Sequence, residues 1–95
     1  MANIGLEAFV DETIRLSREN GYHPTAFVSM RQRYGTVKAI SKLVQSGDIQ
    51  SGFKRLNSLG LIDWTIEAAV TKFPGEFSPT TLECAEFRLR LANTD

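Results

Sequence analysis

Apolar residues recur along most of this chain at the spacing of an α-helix, in short blocks separated by glycines and capping residues. Leu6, Phe9, Val10, Thr13, Ile14 and Leu16 form the first stripe, with Asn3 placed to cap it and Asn20-Gly21 to stop it. After the turn Tyr22-His23-Pro24, Thr25 can cap a second helix carrying Phe27, Val28, Met30 and Tyr34, which Gly35 ends. Thr36 then caps a third, with Val37, Ile40, Leu43 and Val44 on one side, Lys38 and Lys42 on the other, and Gly47 as its stop. Ser51 can cap a fourth from Gly52 to Leu59, with Phe53, Leu56 and Leu59 directed inward and Gly60 closing it.

The second half continues the pattern. A fifth helix is predicted from about Thr65 to Lys72, with Asp63 or Thr65 as its cap, and Phe73-Pro74-Gly75 breaks it. Ser78-Pro79, a cap followed by proline at the first helical position, opens a last helix running to about Asn93, striped by Leu82, Ala85, Leu89 and Ala92. Asp11 with Arg15, and Glu86 with Arg90, lie one turn apart and are expected to pair on the wet faces. The one apolar–polar alternation, from Phe87 to Leu91, falls inside the last helix. The pattern therefore predicts an all-α fold, a single domain over 1–95 built as a compact bundle of about five or six short helices.

Formal net charge is zero, so the whole molecule has no general attraction to nucleic acid or anionic membrane. The distribution is less even. Between residues 31 and 55, Arg31, Arg33, Lys38, Lys42, Lys54 and Arg55 face only Asp48, while both ends of the chain are acidic. A lone Cys84 excludes an internal disulfide and fits a reducing, cytoplasmic setting. The N-terminal stripe contains Glu7, Asp11 and Glu12 and does not read as a signal peptide, and no apolar run approaches the roughly 20 residues that span a bilayer, so no membrane partner is expected.

Candidate chemistry is sparse. His23 and Cys84 are single, and neither Cys-x-x-Cys nor His-x-x-x-His occurs. Asp63 with Glu67, and Glu83 with Glu86, read as capping and solvated surface rather than metal ligands, and the glycines fall singly at helix ends instead of forming a phosphate loop. No catalytic residue, cofactor or metal is expected, and the chain does not read as an enzyme. Phe53, Trp64, Phe73, Phe77 and Phe87 are expected mainly in the core, with one or two left as an exposed apolar spot; Trp64 is the candidate anchor.

Two binding readings follow. Residues 36–59 have the helix, short turn, helix pattern of a helix-turn-helix, and the string from Gly52 to Ile62 resembles the recognition helix and exit of winged-helix regulators. A helical pattern follows Ile62, however, where wing strands belong. DNA is thus the alternative partner, read through 36–59. The preferred partner is another protein, met by the basic face of Arg31, Arg33, Lys38, Lys42, Lys54 and Arg55 combined with Trp64 or the 73–77 loop.

Several strings, taken together, also resemble an uncharacterised bacterial helical module: Gly21-Tyr22-His23-Pro24, Ser51-Gly52-Phe53, Asp63-Trp64-Thr65-Ile66-Glu67 and the late Ala85-Glu86-Phe87-Arg88-Leu89. The likeness runs from Gly21 to Leu89 and departs from the module's pattern at Ile62-Asp63-Trp64 and at Phe87. It implies a self-contained adaptor and carries no catalytic residues across. The resulting expectation is a non-enzymatic interaction module, with bacterial or phage defence or counter-defence as the setting it would serve.

Overall fold

A computed structural model describes residues 3–46 and 51–93. Six α-helices follow one another: α1 (Ile4–Glu19), α2 (Thr25–Tyr34), α3 (Thr36–Val44), α4 (Ser51–Ser58), α5 (Ile66–Lys72) and α6 (Pro79–Asn93). Tight 3-10 turns at Ile62–Trp64 and Pro74–Glu76 flank α5. No strand occurs among the described residues, so the all-α bundle expected from the apolar spacing is the fold observed.

Three of the expected caps form. Asn3 accepts from the Leu6 amide, Thr65 from the Ala68 amide and Ser78 from the Thr81 amide, each satisfying a donor that the first helical turn leaves open. Thr25 and Thr36 do not cap; each is the first residue of its helix, after Pro24 and Gly35 respectively. Gly35 has φ +90°, a left-handed conformation that lets the chain reverse between α2 and α3 with no residue to spare. Gly47, expected to stop α3, and the 47–50 turn lie outside the described residues, as does the side chain of Ser51.

The short helix α5 sits at the centre, packed against α1, α3 and α6, while α2 lies along α3. Its Ala69 and Val70 are fully buried, and small side chains there let three neighbours approach one seven-residue helix. Leu6, Val10, Ile40, Val44 and Ala85 close around it in one core cluster. In the same cluster, Phe9 of α1 stacks on Trp64, ring centroids 4.9 Å apart, and meets Phe73 edge-on at 6.1 Å.

A polar node ties α1 to α2 and α3. Arg31 reaches Glu7 at 2.7 Å and Asp11 at 2.8 Å, and its Nε donates to Thr36 Oγ1 at 2.9 Å. The Thr36 hydroxyl in turn donates to Glu7 at 2.6 Å, so the side chain expected as a cap holds three helices together instead. Asp11 is thereby taken from its expected partner; Arg15 pairs with Glu12 and Glu19 along the exposed side of α1. Because Arg31 makes several charge-assisted hydrogen bonds from a mostly buried position, replacing it by methionine is expected to lower unfolding free energy by about 2 kcal/mol, measured by urea denaturation.

Candidate functional site

The most unusual chemistry lies inside the bundle. Glu67 opens the first turn of α5 with no exposed surface, and its Oε2 accepts from the Arg88 guanidinium of α6 at 2.8 Å. A second Arg88 nitrogen donates to the Ser46 carbonyl at 2.9 Å, at the exit of α3. Glu67 Oε1 is buried without a hydrogen-bond partner. The expectation that Glu67 is solvated surface is therefore corrected: the carboxylate is buried and paired with a cation on the neighbouring helix. Burial pushes the Glu67 carboxyl above its ordinary range, and the hydrogen bond from Arg88 only partly offsets that shift.

Glu67 also lines a cleft of about 130 Å³ between α4 and the loop from α1 to α2. Tyr22, Phe27, Leu43, Phe53 and Leu56 supply most of its apolar wall. Gly52 belongs here for a steric reason: a Cβ at this position would fall 2.9 Å from the Tyr22 hydroxyl, so only glycine lets the ring lie against α4. The cleft is benzene-sized and mainly apolar. No group of three or more His, Cys, Asp or Glu residues among those described could hold a metal ion.

The surface residues singled out by sequence separate into three sets. Arg31 is committed to the α1–α2–α3 node and Trp64 to the stack on Phe9, so neither is a free surface group. Lys54 and Arg55 are exposed on α4, with the Arg55 guanidinium close to Gly21. Arg33, Lys38 and Lys42 are exposed and have no ion-pair partner among the described residues. They share the outer side of the α2–α3 corner with two apolar groups that the helical stripes had placed inward, Tyr34 (43% exposed) and Val37. Lys42 Nζ lies 4.9 Å from the Tyr34 ring centroid, a cation–π contact at the surface.

The helix-turn-helix expected over 36–59 has both of its helices. However, α4 packs chiefly on the Ile62–Trp64 turn, whereas α3 packs on α2, α5 and α6. Of the five aromatics expected mainly in the core with one or two exposed, Phe87 is the exposed one, at 56% on α6, with Leu91 exposed one turn further on. No helix among the described residues is long and apolar enough to cross a membrane. No family model matches the chain, and no curated protein or solved structure matches it either.

Two measurements test the interior. Because the Glu67 pKa is raised on folding, protonation is favoured in the native state. Its contribution is therefore fully present below the ordinary value of about 4.3 and is lost as pH rises through the higher native value. The stability of the native sequence relative to Glu67→Gln should accordingly fall as pH is raised above the ordinary carboxyl range in urea titrations; a flat difference would contradict the assignment. Arg88→Met should cost about 3 kcal/mol by stranding the carboxyl, and adding Glu67→Leu should recover much of that loss.

Proposed function

We propose that this bundle is a non-enzymatic interaction module that binds an acidic, partly apolar surface of another protein. The observation that carries the reading is the outer side of the α2–α3 corner, where Tyr34 and Val37 stand exposed among Arg33, Lys38 and Lys42. An exposed tyrosine with a lysine against its ring, surrounded by cations without anionic partners, has the composition of a protein contact surface. The long apolar stems of the lysines add to that surface while their charges stay in water. The proposed set is narrower than the basic stretch of the sequence, since Arg31 and Trp64 are held by the fold.

DNA is the second reading, because the same cations suit phosphates. The packing of α4 on the Ile62–Trp64 turn favours the protein reading, since a helix-turn-helix seats its second helix against its first. Tagged protein with Lys38→Glu and Lys42→Glu is expected to keep its circular dichroism and lose the protein recovered by the native chain in a pull-down. The Lys54→Glu, Arg55→Glu pair should retain it. Loss on α4 but not on α3 would move the surface to α4. A duplex mobility shift that weakens steeply with salt would replace the protein reading with the nucleic-acid one.

A further inference from the structure

Apolar surface also remains on the outer face of α6. Cys84, Phe87 and Leu91 follow one another at intervals of three and four residues, the spacing of a two-helix seam. Phe87 is 56% and Leu91 40% exposed, with Cys84 half-buried at the edge of the core, whereas the bundle buries a different face of this helix, through Thr81, Ala85 and Arg88. Glu83 and Arg90 are exposed along one flank of the seam, a heptad apart and of opposite charge. Neither has an ion-pair partner among the described residues; the expected Glu86–Arg90 pair does not form.

We propose that α6 pairs with α6 of a second copy of this chain, antiparallel about a two-fold axis near Phe87. In an antiparallel seam, the flanking position of one helix faces the same flanking position of the other. Glu83 then meets the partner's Arg90, and the two-fold repeats the pair. Phe87 packs over the partner's Cys84 at the centre. A parallel pairing would instead turn Glu83 towards the partner's Arg88, a guanidinium already committed to Glu67 and Ser46. The charge pattern thus selects both the second copy and its direction. The surface uses no residue of the Tyr34–Lys42 face, so it stands or falls apart from the reading above.

A single pair of helices buries less than the roughly 1,200 Å² of stable interfaces, so association is expected to be weak and visible only at high concentration. Sedimentation from micromolar to millimolar protein at low salt should show a monomer–dimer equilibrium. Glu83→Arg alone and Arg90→Glu alone each set like charges face to face, and each should weaken association at least about fivefold. An equimolar mixture of those two variants restores opposite charges at both contacts and should associate again. Phe87→Ser should remain monomeric with unchanged helicity. A native chain that is monomeric at millimolar concentration, single variants that associate as the native chain does, or a mixture no better than its components would each overturn the proposal.

Discussion

The Glu67–Arg88 ion pair sets how the last helix is mounted. Each charge loses several kcal/mol of hydration on entering the bundle, and the pair regains part of this where the carboxylate and guanidinium meet at hydrogen-bond distance. The same guanidinium holds the carbonyl of Ser46, so one side chain ties α6 to the start of α5 and the exit of α3 together. A guanidinium fixed at both ends leaves α6 little freedom to roll or slide. Thr81 and Ala85 then face inward, and Phe87 and Leu91 are turned towards solvent. The exposed seam of α6 is in this sense a product of the buried charge.

A second node uses the same device in wetter surroundings. Arg31 joins α1, α2 and α3 through Glu7, Asp11 and Thr36, beside a core built largely from medium-sized and small side chains. Gln45 adds a third polar tie, donating to the buried Thr81 hydroxyl at 2.6 Å and so joining the end of α3 to the first turn of α6. Short helices with small apolar faces can pack in several rotations of similar energy. Directional contacts between helices separate those alternatives better than additional methyl groups, because they fail when a helix turns by one residue. The outward cations of α2 and α3 follow the same logic: Arg31 is drawn in, and the charges that remain outside have no internal partner.

Much of the fold was legible in the sequence because it rests on local rules. Apolar spacing located every helix, and Asn3, Thr65 and Ser78 cap where a short polar side chain precedes a stripe. What escaped was chemistry between distant segments. Glu67 and Arg88 are each ordinary surface residues by type, although Arg88 shares an inward stripe with Ala85 and Ala92, and Glu67 lies one turn before the buried Val70. Opposite charges on two inward stripes were the available signal, but periodicity does not reveal which stripes face each other. Thr36 was misread as a cap for the same reason: its hydroxyl donates to Glu7, 29 residues away along the chain, and accepts from Arg31 on the preceding helix. The exposure of Tyr34 and Phe87 was hidden because a helical stripe cannot show where the neighbouring helix ends.

The interior charge also constrains how sequences of this fold can diverge. An all-apolar interior is a sound alternative to Glu67 and Arg88 once both have changed, yet whichever changes first strands its opposite number in the core. The two positions are separated from that alternative by a poorly folding intermediate, so descendants of this chain should exchange them together or not at all. Across diverged copies, a matched change at 67 and 88 would be the record of such a crossing.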